Sequence, residues 1–289
     1  MRVLVTGGAG FIGANLVNRL IKDNHEVIIF DNLSTGSQYN IHKESKLFLI
    51  DISHNKYFKD KKMDDIMNGV DVIFHLAALP RIGPSFKNPK EVCDINVGGT
   101  QNILDLARKY EIPVIYAGSS SFWGGTYKNP YTFSKWQGEE LCKMYERIYG
   151  LSVTICRFYN VYGDFMPTEG EYRTVLPIFL EQHKSEEPLT ITSDGEQRRD
   201  FTHVDDIVEA MMRVVYCNKW GNTYELGRGK NHSINEVAEM FGGDKVYIDE
   251  IPGETRNTLC KSELARKKLN WKPKINLKDW IDERTNKKS

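Results

Sequence analysis

The sequence has few cysteines, no excess of positive or negative charge, and no long hydrophobic run. Its five cysteines are an odd number and none forms a Cys-x-x-Cys pair, so we expect reduced thiols and no metal site. Lys plus Arg and Asp plus Glu number 39 each, and this balance argues against a nucleic-acid partner. The cysteine usage is typical of a cytoplasmic protein.

The most apolar stretch, residues 70–80, is too short to span a bilayer and contains Asp71 and His75. Met1 leads directly into an apolar, β-branched run at residues 2–6, which predicts an N-terminal strand instead of a signal peptide. We therefore expect no membrane association.

What the sequence does contain is an alternation of short apolar runs with helical patterns. The apolar runs suit strands buried on both faces, and they lie at residues 2–6, 26–30, 46–50, 70–76, 114–117 and 152–157. Helical patterns occupy residues 11–23, 97–110 and 131–149, and Gly150 follows the last as a candidate C-cap. This order predicts an α/β fold with a Rossmann-type, doubly wound parallel sheet over residues 1–162.

Beyond Gly163 the prolines and glycines divide the chain into short pieces. We predict a smaller C-terminal substrate-binding domain over residues 163–289, with some of its segments interleaved with the first domain. Open α/β sheets bind ligands at the carboxyl ends of their strands, so this domain would close a cleft there.

A glycine-rich turn links the first predicted strand to the first predicted helix. Its sequence, residues 6–13, satisfies Gly8-x-Gly10-x-x-Gly13 and equally Gly7-x-x-Gly10-x-x-Gly13, with Phe11 and Ile12 at the helix start. Glycines let backbone N–H groups approach a pyrophosphate, and the helix N-terminus adds partial positive charge. The turn therefore predicts a dinucleotide-binding site.

Asp31 ends the second predicted strand about 20 residues further on, where a carboxylate accepts hydrogen bonds from the adenosine ribose of a dinucleotide. It would repel the 2′-phosphate of NADP, and Asn32 supplies no compensating charge. The alternative is a simple turn residue. Together with the glycines, Asp31 favours NAD.

Tyr131 and Lys135 lie four residues apart, on one face of a helix that Pro130 could start. An adjacent ammonium would favour ionisation of the phenol, which otherwise titrates near pH 10. Ser119, Ser120 and Ser121 directly follow the fifth strand, where hydroxyls can orient a substrate hydroxyl or carbonyl. For Tyr131 and Lys135 taken alone, the alternative is a pair of surface residues without a role in catalysis.

Several segments together resemble the extended short-chain dehydrogenase/reductase family, and within it the NAD-dependent UDP-sugar 4-epimerases. They cover nearly the whole chain in order: Thr6–Gly13, Asp31–Gly36, His75–Ala78, Ser119–Ser121, Tyr131-x-x-x-Lys135, Arg157–Gly163 and Asp194–Phe201.

The resemblance implies a role for each matching residue. Ser119, Tyr131 and Lys135 would be catalytic, with Tyr131 as the base and Lys135 also bound to the nicotinamide ribose. Further contacts to NAD would come from Gly7, Gly10, Phe11, Ile12, Gly13, Asp31, Asn32, Ser34, Gly36, Asp51, Ile52, Leu76, Ala77, Ala78, Asn96 and Tyr159. Leu76–Ala78 could equally be ordinary core.

Substrate contacts are implied in the same way. Ser120 and Ser121 would face the sugar, Asn160 and Arg199 the diphosphate, Val175 and Leu176 the uracil, and Glu254 the uridine ribose. Asn160 could instead only cap a turn. Many relatives carry Arg where this chain has Ile251, and Arg256 could supply that charge. Thr258 aligns with the residue beside the sugar N-acetyl group, and its small size predicts tolerance of N-acetylhexosamines. The seven-residue spacing of Gly124 and Tyr131 is short for the family.

The expected reaction is reversible oxidation at C4 of a UDP-hexose or UDP-N-acetylhexosamine, with hydride return to the opposite face. In this family, dehydratases carry a sequence similar to Thr-Asp-Glu at the position of residues 119–121, and decarboxylases keep a Glu at the position of Ser121. The resemblance therefore disfavours both reactions for this chain. A keto-sugar reductase and a non-catalytic NAD-binding protein remain alternatives. The helices at 97–110 and 131–149 pair two subunits in relatives, which predicts a homodimer, although their apolar residues also suit packing within one chain.

Overall fold

The computed structural model describes residues 1–250, 253 and 255–285. This part of the chain contains thirteen strands: β1 (Arg2–Thr6), β2 (Glu26–Asp31), β3 (Lys46–Leu49), β4 (Val72–His75), β5 (Val114–Ser119), β6 (Val153–Phe158), β7 (Val161–Tyr162), β8 (Leu189–Thr192), β9 (Arg198–Asp200), β10 (Thr202–His203), β11 (Thr223–Leu226), β12 (Asn231–Ser233) and β13 (Lys245–Ile248).

It also contains eleven α-helices: α1 (Phe11–Lys22), α2 (Lys62–Met67), α3 (Ile82–Lys87), α4 (Pro89–Cys93), α5 (Thr100–Lys109), α6 (Pro130–Tyr149), α7 (Val175–Lys184), α8 (Val204–Tyr216), α9 (Ile234–Phe241), α10 (Leu264–Leu269) and α11 (Leu277–Thr285). None of the helices in the described ranges is long and apolar enough to cross a membrane.

Seven strands form one central, fully parallel sheet in the order β11-β6-β5-β4-β1-β2-β3. Strands β1 to β6 follow the strand order of a dinucleotide-binding sheet. From the centre of the sheet, β1 to β3 are added in one direction and β4 to β6 in the other. All six predicted strands are present and the predicted α/β Rossmann-type fold is confirmed, although β4 is shorter than its apolar run. The N–H of Asp71, just before β4, donates to the carbonyl of Arg2 at 2.8 Å.

Two apolar layers cover the faces of this sheet. One face packs α1, α8 and α10 against β1, β2 and β11, with Leu16, Met211 and Trp271 buried. The other face packs α2, α5 and α6, with Met63, Leu104 and Tyr145 buried. Strand β11 and helices α8 and α10 come from the chain beyond residue 162, so the later residues complete the layers of the first half.

A third apolar cluster lies apart from the sheet and joins α7, α9 and α11 with β8. Its centre is Phe179, Phe241 and Trp280, and Phe179 and Phe241 pack edge to face with ring centroids 5.7 Å apart. Three two-stranded pairings lie outside the central sheet: β10 with β7, β12 with β9 and β13 with β8.

Candidate active site

The glycine turn brings three backbone segments into close contact at the start of α1. Gly7 has a φ of +73°, and its N–H donates to the carbonyl of Phe30 at 2.8 Å. A Cβ on Gly13 would lie 2.0 Å from the carbonyl oxygen of Gly7. Only glycines allow this approach, so the first-turn N–H groups of α1 remain open to the cavity above.

Asp31, buried at the end of β2, holds the turn that follows it and faces the same cavity. Its two carboxylate oxygens accept from the N–H of Ala9 at 3.0 Å and of Leu33 at 2.8 Å. Each oxygen has a second lone pair for a ligand hydroxyl. Next to it, Asn32 donates to Asp51 at 3.1 Å, which joins the ends of β2 and β3.

One cavity runs along the carboxyl edge of the sheet from the glycine turn to Tyr131. Fifteen of the predicted cofactor residues line it: Gly7, Gly10, Phe11, Ile12, Gly13, Asp31, Asn32, Ser34, Asp51, Ile52, Leu76, Ala77, Ala78, Tyr131 and Lys135. The glycine cradle, the carboxylate of Asp31 and the apolar walls fit the pyrophosphate, ribose and rings of a dinucleotide.

Three other predicted cofactor residues lie against this wall and bond within the protein. A Cβ on Gly36 would be 2.9 Å from the carbonyl of Ala9, so Gly36 supports the glycine turn. Asn96, in a π-helical turn at Asp94–Gly99, accepts from Leu79 N–H at 2.8 Å and donates to Ser134 at 2.9 Å. Tyr159 donates its hydroxyl to Glu225 at 3.0 Å, and Phe158 lines the cavity in its place.

The predicted catalytic residues converge where β5 ends and α6 begins. Asn129 caps α6 by accepting from the N–H of Thr132 at 2.8 Å, and Pro130 occupies the first turn as expected. The Tyr131 hydroxyl lies 3.5 Å from Ser119 Oγ, and Ser119 Oγ donates to Ser121 Oγ at 2.9 Å. Ser120 is buried.

The charge acting on the Tyr131 phenol comes from a residue that the sequence reasoning missed. Burial raises the pKa of Tyr131, while the hydrogen bond to Ser119 and the charge of Arg81 lower it, and burial prevails. Arg81 follows β4 and lines the same cavity. The ammonium of Lys135 lies 4.4 Å from the ring centroid of Tyr116. Arg81 carries no motif, and only its place at the sheet edge reveals it.

Burial lowers the pKa of Lys135 to about 8, although Glu139 opposes this shift. Burial of the charged ammonium therefore lowers the free energy of unfolding below about pH 8. As the pH rises from 8 towards 10.5, the native state loses this proton before the unfolded state does, and the cost disappears.

We expect Lys135→Met to stabilise the cofactor-free protein at pH 7 by about 1–3 kcal/mol, because Met fills the site without a charge. The advantage should shrink between pH 8 and pH 10. Urea unfolding at both pH values measures it. A variant less stable than the wild type at pH 7 would contradict the expectation.

The predicted substrate residues are held by contacts within the chain. Asn160 donates to Thr258 Oγ1 at 3.0 Å, and Arg199 donates to the carbonyl of Thr255 at 2.6 Å. Leu176 is buried in the third apolar cluster, and Val175 packs against that cluster at the start of α7.

Arg256 forms a two-bond, exposed ion pair with Asp194, both bonds at 2.7 Å. Ile251 and Glu254 lie outside the described residues. Arg256 was expected to supply the charge of the Arg that many relatives carry at the position of Ile251.

A buried ion cluster supports the turn at residues 119–124, and the sequence reasoning did not foresee it. Arg157 bonds Glu139 Oε2 at 2.6 Å and Glu225 Oε1 at 3.3 Å. Trp123 donates its indole N–H to Glu225 at 2.7 Å, and Arg157 lies 3.9 Å from the ring centroid of Phe122. The cluster therefore connects the serine turn to α6, one turn beyond Lys135.

Glu225→Ala should lower the free energy of unfolding by about 3 kcal/mol, because Arg157, Trp123 and Tyr159 all lose an acceptor. Glu225→Gln keeps one carbonyl acceptor and should lose clearly less. Urea unfolding of both variants measures the difference. Equal losses would show that the acceptor oxygens do not stabilise the turn.

The fold and the cavity define a dinucleotide-binding α/β protein with a Ser–Tyr–Lys site. The sequence model of the NAD dependent epimerase/dehydratase family matches residues 3–227. The chain belongs to this family, and NAD is its cofactor.

Its relatives are named for more than one activity. A Methanocaldococcus jannaschii protein named a UDP-glucose 4-epimerase is 36% identical over 304 residues, covering 96% of this chain and 95% of that protein. UDP-N-acetyl-alpha-D-glucosaminuronate decarboxylase of Bacillus cytotoxicus is 34% identical over 256 residues, covering 82% of this chain and 78% of that one. The crystal structure of Thermotoga maritima UDP-glucose 4-epimerase with UDP-glucose superposes with a TM-score of 0.91 at 27% identity, covering 99% and 98% of the two chains.

Proposed function

We propose that this protein is an NAD-dependent UDP-sugar 4-epimerase acting on a UDP-hexose or UDP-N-acetylhexosamine. The observation that carries the proposal is that Tyr131 and Lys135 line one end of the cavity, with Ser119 Oγ 3.5 Å from the Tyr131 hydroxyl and only hydroxyls at residues 120 and 121. Redox chemistry at C4 needs a proton acceptor and a hydride acceptor, and it needs no further acid or base.

The residues of the chain divide this work among them. Gly7, Gly10, Gly13 and Asp31 would hold NAD, which when bound accepts hydride from C4 and returns it. Tyr131 removes the proton of the C4 hydroxyl and gives it back on the return step. Ser119 donates a hydrogen bond to the same oxygen and stabilises its developing negative charge.

The buried Lys135 keeps positive potential at this end of the cavity, and a bound NAD⁺ would add to it. The charge of Arg81 lowers the pKa of Tyr131 against the effect of burial, and the positive charge of a bound NAD⁺ would act in the same direction. Attachment of the sugar through its diphosphate leaves the ring free to present its other face.

Decarboxylation is the second candidate because the Bacillus cytotoxicus relative carries that activity in its name. The cavity argues against it. The carboxylates among its described lining residues are Asp31 and Asp51, which follow β2 and β3 at the end away from Tyr131. An elimination or a decarboxylation that needs a carboxyl group beside the sugar would lack it here.

The small side chain of Thr258 supports acceptance of an N-acetyl group. Its hydroxyl oxygen accepts hydrogen bonds from the Asn160 amide and from the N–H of Asp200, the latter at 3.2 Å. We also propose a cytoplasmic homodimer joined through α5 and α6. On α6, Ile148 and Tyr149 are exposed apolar side chains, as an interface would require.

The test is incubation of the purified protein with UDP-galactose and with UDP-N-acetylgalactosamine, without added cofactor, followed by NMR. Appearance of the C4 epimer is the expected result. Release of carbon dioxide from UDP-glucuronate, or stoichiometric consumption of added NADH, would replace the proposal with a decarboxylase or a reductase.

A further inference from the structure

A buried carboxylate lies directly behind the wall of the cavity, on the same helix as Lys135. Glu139 follows Lys135 by four residues on α6, so the two side chains lie on one face of the helix. The side chain of Glu139 is only 1% exposed. A Cβ on Gly118, which lines the cavity together with Lys135, would lie 2.8 Å from Oε1 of Glu139. The glycine therefore leaves room for a negative charge next to the reacting end.

Glu139 shares its guanidinium partner with a second carboxylate. Arg157 donates to both oxygens of Glu139, from Nε at 3.0 Å and from Nη2 at 2.6 Å, and its Nη1 donates to Glu225 at 3.3 Å. One guanidinium cannot compensate the charge of two carboxylates. Lys135, one helical turn from Glu139, is a second cation, and a buried charge is costly unless a charge of opposite sign lies near it. The positions of these four groups therefore favour a pairing of Glu139 with Lys135.

Four titratable groups face the Lys135 ammonium from α6, β5 and β4. Burial raises the pKa of Tyr116 on β5 well above its ordinary value, and it also raises the pKa of the Cys142 thiol on α6. Burial lowers the pKa of His75 on β4 to about 3, and the charge of Lys135 acts in the same direction. These three groups are neutral at pH 7. Glu139 is therefore the one of the four that brings a negative charge to the ammonium.

Charged side chains on the other elements that pack against α6 have partners of their own. The pairs are Asp94 with Lys90, Asp105 with Tyr145, Lys109 with Asp64, Arg108 with the ring of Tyr149, and Lys87 with Glu171. Glu91 of α4 is exposed to solvent. Arg81, before α3, acts on the Tyr131 phenol. These pairings leave the carboxylate of Glu139 as the counter-charge for Lys135.

Resting on the roles proposed for Tyr131 and Lys135, we propose that Glu139 is a positioning residue that keeps the Lys135 ammonium charged at the reacting end of the cavity. A charged Lys135 offers three N–H donors to the ribose of a bound NAD, whereas the neutral amine is a weaker donor. Burial lowers the pKa of Lys135 to about 8, and the charge of Glu139 opposes this shift. Loss of the Glu139 carboxylate therefore removes the proton of Lys135 at a lower pH.

The experiment measures the protonation of Lys135 directly, so that it does not depend on turnover. The full chain, freed of cofactor and labelled with ¹³C at lysine Cε, is titrated by NMR from about pH 6 to about pH 11. The Lys135 signal is identified by its loss in Lys135→Met. The titration is repeated with Glu139→Gln, which keeps an acceptor for Arg157, and with Glu139→Asp, which keeps the charge.

Two controls separate the charge of Glu139 from a general disturbance of the structure. Glu225→Gln removes the other carboxylate that bonds Arg157. Glu140→Gln removes an exposed carboxylate from the same helix, where it pairs with Lys143. Neither residue is among the groups whose charge acts on Lys135.

We expect Lys135 to titrate near pH 8 in the wild type and about one pH unit lower in Glu139→Gln. Glu139→Asp should restore most of the difference, and the two controls should shift the midpoint much less. At pH 8 the charged fraction of Lys135 would fall from about a half to about a tenth. Calorimetry at that pH should therefore show an about fivefold loss of NAD affinity in Glu139→Gln.

Two results would overturn the proposal. One is an unchanged Lys135 midpoint in Glu139→Gln. The other is an equal shift in Glu139→Gln and Glu225→Gln, because it would trace the effect to loosening of the ion cluster and not to the charge that faces Lys135.

The inference and the proposed function fail in different ways. If the C4 epimer forms and the Lys135 midpoint does not move in Glu139→Gln, the inference on Glu139 is wrong and the epimerase function stands. If the midpoint moves as expected and no C4 epimer forms from either UDP-sugar, the inference stands and the epimerase function is wrong.

Discussion

Tyr131→Phe should lower kcat by about 10²- to 10⁴-fold, because the variant keeps the ring but loses the oxygen that accepts the proton. Phe fills the same place at the start of α6, so the affinities for NAD and for the nucleotide should change little. Initial rates of C4 epimer formation, together with calorimetric titration of NAD, measure the two effects separately.

Tyr127→Phe is the matched control, since it removes the same hydroxyl from a side chain that is 81% exposed. Its kcat should equal that of the wild type. A Tyr131→Phe enzyme that kept more than about a tenth of the wild-type rate would remove Tyr131 from the proposed mechanism.

Gly13→Ala should disrupt the cofactor site and lower the free energy of unfolding by about 3 kcal/mol or more. The new Cβ would lie 2.0 Å from the carbonyl oxygen of Gly7 and 2.8 Å from Cα of Gly8, so the turn must open. Because the neighbouring atoms are backbone, no side-chain rotation can relieve the contact. Urea unfolding and NAD titration measure both losses.

Gly83→Ala provides the comparison for this substitution. Nothing lies within 4 Å of a Cβ at Gly83, which is within α3, so the change should be neutral or slightly stabilising. If Gly13→Ala bound NAD as the wild type does, the glycine turn would not be the pyrophosphate site.

Local patterns foretold the elements that position the site. The apolar runs mark strands because buried parallel strands need apolar residues on both faces, and all six appear in the central sheet. Gly150, predicted as a C-cap, has a φ of +68° at the end of α6. The helix predicted at 97–110 begins later, at Thr100, because a π-helical turn at Asp94–Gly99 precedes it.

Contacts between distant residues could not be foretold in this way. Asn96 is 17 residues from Leu79 and 38 from Ser134, and the π-helical turn directs it to both. Arg256 is 62 residues from Asp194, its ion-pair partner. No local spacing encodes such pairs, since they depend on how the loops return to the sheet edge.

The sequence by itself determined the six strands of a Rossmann-type parallel sheet, the glycine turn and the Tyr131–Lys135 helix. Each depends on residues near one another along the chain, where steric and capping preferences act directly. Only the tertiary structure decided which cation faces the Tyr131 phenol, and that the chain beyond residue 162 supplies β11, α8 and α10 to the first packing layers. Electrostatic and apolar interactions act through space. The charge of Arg81 therefore affects the pKa of Tyr131 only because the folded chain brings the two residues together.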